Sequence, residues 1–339
     1  MAKSFGTLPN GQEATLYTIA CGSVTADITN YGATLVRLWA PDKDGCVADV
    51  VLGYDDVNGY REGGCYFGAT VGRCANRIAG ASFALNGKVV RLPDNENGNT
   101  LHSGPDCWHQ RLWDVEFVAD NAITLRLDSP DGDQGFPGHA VVRVTYELDA
   151  NGALHIVYDA DCDQDTVFNP TNHSYFNLAG HNHPEAAMDQ LLTIPGRFFC
   201  PDDAANIPTG EERSVEGTPF DFRTAKPIGR DIGADYEPLH LQGGYDHNFE
   251  VYSNPAAILS TADGSRTMMV YTDLPGIQFY AGNFIDNEKG KNGIVYGKRS
   301  GVALETQFFP NALNRPEWVQ PITPKGEHFH SETVYWFYT

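Results

Sequence analysis

Apolar and polar residues alternate with a period of two wherever the pattern along this chain is clean. Ile123, Leu125 and Leu127 interleave with Thr124, Arg126 and Asp128, and Val142, Val144, Tyr146 and Leu148 with Arg143, Thr145 and Glu147. Successive side chains of a strand point to opposite faces, so this alternation predicts half-buried strands. Asp149-Ala150-Asn151-Gly152 follows the second run and leads into a third, Leu154, Ile156 and Tyr158. An Asn-Gly pair supplies the positive-φ residues of a tight hairpin turn, and residues 113–159 are predicted to form an antiparallel meander. Short apolar runs recur at 24–28, 34–39, 82–85, 249–252, 268–271, 276–280, 301–304 and 333–338, separated by Gly, Pro, Asn or Asp. Helical periods longer than three turns are almost absent. The expectation is an all-β fold, a large antiparallel sandwich or barrel. No linker, repeat or low-complexity tract divides it, so residues 1–339 read as one domain.

Composition narrows the function. With 41% hydrophobic and 20% charged residues in 339, the chain is neither disordered, collagenous nor coiled coil. Lys and Arg number 23 against 44 Asp and Glu, a formal charge of −21, and such a field repels phosphate backbones and anionic headgroups. Nucleic acid and membranes are poor partners, phosphorylated ligands are disfavoured, and a neutral ligand fits best. The seven cysteines are scattered without a C-x-x-C pair, which reads as reduced thiols. Residues 1–17 carry Pro9, Gly11 and Glu13 where a signal peptide needs an apolar run, and no 18-residue apolar stretch occurs. A cytoplasmic protein is expected.

Several segments place polar residues among aromatics: Asn76-Arg77, Thr100 to Gly104, Asn172 to Asn177, Tyr245 to Phe249, Gln278 to Tyr280 and Leu304 to Gln307. Polar groups in an apolar wall cost free energy unless paired, so such breaks in the pattern mark candidate sites. His173 has four polar neighbours able to fix its tautomer, and an imidazole passes protons either way near neutrality; the alternative is a satisfied core histidine. Glu305 shares a strand face with Ala303 and Gln307, where a carboxylate has a raised pKa and becomes a useful base, unless the strand is an exposed edge. Asp246 either accepts two hydrogen bonds from vicinal hydroxyls or is a turn residue after Gly243-Gly244. Arg77 is a forked donor for hydroxyls or half of an ion pair. His181-Asn182-His183 and His328-Phe329-His330 lack the partners of a zinc site. Asp131-Gly132-Asp133 opens like a calcium loop but has Val142 where the bidentate Glu belongs. Nucleotide-binding and serine-hydrolase motifs do not occur.

Taken together, Asn76-Arg77-Ile78, Leu101-His102-Ser103-Gly104, Ser129 to Gly138, Thr171 to Leu178, Ile207 to Gly210, Phe220 to Arg223, Gly244 to His247, Gln278 to Phe284 and Leu304 to Gln307 resemble the aldose 1-epimerase (galactose mutarotase) family, in family order from about residue 20 onward. The resemblance implies a large antiparallel β-sandwich of the galactose mutarotase type with few short helices, a cleft for a free hexose, and no metal or organic cofactor. It implies Glu305 as catalytic base, His173 as catalytic acid and His102 as a second histidine supporting the proton transfer. Asn76, Arg77, Asp246 and Gln278 become sugar-hydroxyl partners, and Tyr175 a lesser cleft position. Ser103 and Cys107-Trp108 depart from the family pattern in the loop after His102. The expected enzyme interconverts hexose anomers as a monomer or homodimer. A hexose-6-phosphate epimerase, a glycoside hydrolase using Glu305 with Asp246, and a non-catalytic sugar-binding sandwich are the alternatives.

Overall fold

The computed structural model describes residues 1–338, and strands dominate it. The predicted meander forms as Asp114–Val118, Ala122–Ser129, Ala140–Leu148 and Ala153–Cys162, paired in sequence order. Its last hairpin differs from expectation in one detail: only Gly152 has positive φ (+84°). Asp149 does the remaining work, its Oδ1 accepting from the backbone N–H groups of Asn151 and Ala153, both at 2.9 Å, an Asx turn closed by one left-handed glycine.

The meander supplies four strands of a nine-stranded antiparallel sheet. His328–Tyr338 returns from the C-terminal end to lie between Ala153–Cys162 and Thr267–Thr272, and Ala257–Ser260, Leu191–Thr193 and Lys226–Pro227 complete the order. A six-stranded sheet runs Tyr175–Phe176, Val302–Gln307, Gly276–Tyr280, Asp246–Glu250, Phe198–Phe199 and Arg213–Ser214, and a five-stranded sheet spans Ala2–Thr7 to Val47–Asp49. The main core joins Leu125, Val144 and Ile156 of the large sheet, Ile28 and Leu38 of the five-stranded sheet, and Val302, Leu304 and Phe279 of the six-stranded sheet. On the other face of the six-stranded sheet, Phe5, Leu16 and Val36 meet Tyr175, Tyr280 and Ala303. Val302–Gln307 is therefore buried at every residue. Buried on both faces, such a strand admits a polar side chain only where that side chain has a purpose.

The 249–252 run is displaced: the strand is Asp246–Glu250, so the polar segment before Phe249 is part of the sheet and not an interruption. Two α-helices occur, Val57–Glu62 and Glu237–Gln242, alongside short 3₁₀ turns. Among the described residues no helix is long and apolar enough to cross a membrane.

The calcium-like segment has a structural task. Arg73 is fully buried, and its guanidinium donates to Ser129 Oγ (2.8 Å), Pro137 O (2.8 Å), Gly138 O (2.9 Å) and Thr166 Oγ1 (3.0 Å). Asp131 accepts from the Gly138 N–H at 2.6 Å and Asp133 from Ser129 Oγ at 2.5 Å. Residues 129–138 thus wrap the buried guanidinium of Arg73.

Candidate active site

A ladder of two residues per strand organises one wall of a cleft of about 300 Å³. Arg77–Ile78 pairs with Thr100–Leu101, placing Leu101 opposite Arg77. The next residues continue the exchange: the His102 N–H donates to Asn76 O at 2.9 Å and the Asn76 N–H to His102 Nδ1 at 3.1 Å. Because Nδ1 accepts, the neutral ring carries its proton on Nε2. Asn76, His102 and Ser103 all have positive φ (+57°, +50°, +70°), a region costly for side chains and concentrated at functional sites. Ser103 stands in this region without glycine's freedom, and its hydroxyl donates to Cys74 O (2.9 Å) while accepting from the Cys74 N–H (2.8 Å). That exchange holds the divergent loop in place.

His173 ends the strand Thr171–His173, opposite Ala69. Its polar neighbours do not fix its tautomer, contrary to the expectation from sequence. Asn172 bonds Gly68 O and Tyr146 Oη, and Ser174 donates to Asn172, so those groups serve each other. The ring lies instead between Tyr66 (5.7 Å, 20°) and Tyr175 (4.9 Å, 25°), held by stacking, and its Nδ1 has no partner. Burial pulls its pKa down to about 4, and burial with the neighbouring imidazole and guanidinium depresses His102 strongly.

Glu305 is 2% exposed. It sits on an interior strand, opposite Gln278, so the exposed-edge alternative is overturned. Its Oε1 is 3.6 Å from His173 Nε2, and its Oε2 has no partner. Burial, then the charge of Asp246, pushes its pKa well above the carboxylate range, with Arg77 opposing. Asp246 is the first residue of its strand, opposite Tyr280, which removes the turn alternative. The preceding Gly244 (φ +143°) has no space for a side chain, since a Cβ there would meet Asn283 Oδ1 at 2.2 Å.

Asn76, Arg77, His102, His173, Tyr175, Asp246 and Glu305 all line the cleft. Gln278 does not. It is buried and stands directly opposite Glu305 on the same face of the sheet, its amide donating to Asp246 Oδ1 at 2.8 Å and its carbonyl accepting from Gln307 at 3.4 Å. That bond makes Gln278 a support for Asp246, beside its expected place as a hydroxyl partner. Arg77 is half of an ion pair, with Nε and Nη2 gripping Glu96 at 2.5 and 2.9 Å, and the residue also lines the cleft.

Sequence reasoning missed Tyr66, Glu96 and Phe284 as lining residues. Tyr66 has φ +58°, and only the Gly63-Gly64 pair before it hinted at an irregular loop. Glu96 lies in the turn-rich stretch Asp94 to Asn99, which reads as solvent-exposed. Phe284, 65% exposed at the mouth, lay within a motif already singled out.

The donor atoms of His102, His173 and Glu305 lie within 4.8 Å of one another, a two-histidine, one-carboxylate set of the kind that holds divalent metals. The chemistry of His102 does not fit. With Nδ1 accepting a backbone N–H, Nε2 bears the proton and offers no lone pair unless the ring becomes imidazolate. The set is suited to moving protons, with His102 Nε2–H as a fixed donor beside a carboxyl and an imidazole.

The sequence model of the aldose 1-epimerase family matches residues 15–336. Galactose mutarotase of Mus musculus is 41% identical over 98% of this chain and 96% of its own length, and aldose 1-epimerase of Escherichia coli is 35% identical over 97% and 96%. The crystal structure of an aldose epimerase homologue from C. elegans superposes with a TM-score of 0.88 at 30% identity, covering 96% of this chain and 99% of that one. In sequence and in fold, the chain belongs to the aldose 1-epimerase family.

Proposed function

We propose that this cleft interconverts the α and β anomers of a free hexose, galactose first among them, by opening and reclosing the pyranose ring. The observation that carries the reading is the opposed pair of Glu305 and His173, 3.6 Å apart and each with a buried atom lacking a protein partner. Ring opening removes the proton from the C1 hydroxyl, adds one to the ring oxygen and breaks the C1–O5 bond. Rotation about C1–C2 and reclosure delivers the other anomer. One base and one acid suffice, and neither is consumed.

The electrostatics suit this exchange. Burial favours the uncharged forms of both groups, so the cleft holds one proton, resting on the carboxyl. Moving it to the imidazole gives carboxylate and imidazolium with no change in net charge. The carboxylate then takes the O1 proton and the imidazolium protonates O5. Each is strong for its task because burial raised one pKa and lowered the other. His102 Nε2–H supports the oxygen under attack, and Asp246, Arg77 and Asn76 hold hydroxyls remote from C1, so that C1 remains free to rotate. Tyr175 backs the imidazole.

A glycosidase needs two carboxyl groups flanking a bond. Here Asp246 is held by Gln278, and the group facing Glu305 is an imidazole. The names of the relatives, mutarotase and aldose 1-epimerase, also favour anomer exchange over hydrolysis.

Polarimetry tests the reading. Catalytic amounts of the protein are expected to accelerate the decay of optical rotation of freshly dissolved α-D-galactose, with the same rate after exhaustive EDTA treatment. No acceleration would overturn the assignment. Loss on chelation with recovery on adding a divalent ion would overturn the proton-only chemistry.

A further inference from the structure

Arg77 is the only Lys or Arg among the described residues lining the cleft, and three carboxyl residues, Glu96, Asp246 and Glu305, share that lining. The two imidazoles add no positive charge near neutrality, since both are depressed by burial. The guanidinium is therefore the one group with which a negatively charged ligand could pair. Its fork is already taken: Nε and Nη2 donate to the two oxygens of Glu96 at 2.5 and 2.9 Å, the bidentate geometry by which arginine receives a free carboxylate or phosphate. Nη1 has no hydrogen-bond partner among the described residues.

Glu96 does not reach Arg77 by chance of a wandering side chain. Its N–H donates to Asn99 O and its carbonyl accepts from the Asn99 N–H (3.1 and 2.9 Å). Asp94 caps the Gly98 N–H at 2.9 Å. Asn95 takes the Leu101 N–H and donates to Leu101 O (2.8 and 3.1 Å). The turn is thus pinned to the strand that pairs with Arg77 and leads into His102.

We propose that Glu96 is a specificity-determining residue: by occupying the guanidinium fork it denies the cleft to anionic sugars, such as uronates and sugar phosphates, and leaves Nη1 aimed at neutral hydroxyls. The inference rests on the anomer-exchange reading for the identity of the ligand but not for its test, which measures binding. An anionic sugar must displace the Glu96 carboxylate from Arg77 while approaching the Asp246 carboxyl, and bringing like charges together opposes its binding.

The probe pair is D-galactose and D-galacturonate, which differ only in a carboxylate in place of the C6 hydroxymethyl, titrated calorimetrically at neutral pH. The wild-type protein is expected to bind galacturonate at least about 100-fold more weakly than galactose. In Glu96→Gln the affinity for galacturonate relative to galactose should rise by at least about tenfold, while Glu96→Asp, shorter but still charged, keeps the exclusion. Circular dichroism verifies the fold of each variant. Equal wild-type binding of the two sugars would overturn the proposal, as would an unchanged ratio in folded Glu96→Gln. Should Glu96→Gln not fold, Glu96→Ala is measured in its place, with the same rise expected. Failure of galactose mutarotation with galacturonate still excluded would sink the proposed reaction and spare this inference.

Discussion

Glu305→Gln is expected to lower kcat for galactose mutarotation by roughly 10²–10⁴-fold, the contribution of one positioned proton transfer, and at the same time to raise thermal stability at alkaline pH. The amide keeps the shape of the carboxyl and the contact with His173 but cannot accept the O1 proton. Its effect on stability follows from the direction of the carboxyl's pKa. Burial and the Asp246 charge raise it in the folded chain, so the protonated carboxyl is the form the fold tolerates. That stabilising contribution is complete below the ordinary carboxylate pKa and is lost as pH rises through the raised folded value. An amide never ionises, so the melting temperature of the variant should exceed that of the wild type by a margin that grows from pH 5 to pH 8. Full activity in the variant would remove Glu305 as the base, and a margin that shrinks with pH would contradict the burial cost. His173→Asn should lower kcat to a similar degree, and the double variant should be little worse than either, because groups that act as a unit are not additive.

Arg73→Met should produce the largest loss of stability, about 3–5 kcal/mol, the range for removing one partner of a buried charged network. The side chain is 0% exposed. Its donors satisfy Ser129 Oγ, the carbonyls of Pro137 and Gly138, and Thr166 Oγ1. Methionine fills much of the volume but takes the donor from Ser129 Oγ, Gly138 O and Thr166 Oγ1 in a dry interior, leaving Pro137 O only the Thr166 hydroxyl. It also removes a positive charge that acts on Asp133, whose pKa is held below the usual range. The denaturant midpoint measures the effect. A loss below about 1 kcal/mol, the worth of a single ordinary hydrogen bond, would mean that the segment 129–138 closes without its central cation.

The relation between sequence and structure explains why some of this was legible. The meander was, because alternation and hairpin turns are local and each strand pairs with its sequence neighbour. The insertion of His328–Tyr338 into the middle of the large sheet was not, since no local signal says which strand a returning segment will join. Glu305 was legible as a polar residue in an apolar run. Its complete burial was not, because that depends on sheets from distant parts of the chain covering both faces. Tyr66 and Glu96 were missed because a left-handed tyrosine and a pinned turn carry no periodic pattern, and Arg73 because a buried arginine looks in sequence like any surface one. Motif resemblance supplied the grouping of His102, His173 and Glu305 that single-residue reasoning left open.

The central claim is that the C1–O5 bond breaks while the C1–O1 bond stays intact, with protons alone passing between Glu305, His173 and the sugar. It is tested most directly with galactose carrying ¹⁸O at C1, turned over many times in ordinary water for a period short against spontaneous exchange. Mass spectrometry should find the label retained while optical rotation relaxes to equilibrium. Loss of ¹⁸O at the rate of anomer exchange would mean that water replaces O1 at each turnover, and would contradict the ring-opening account.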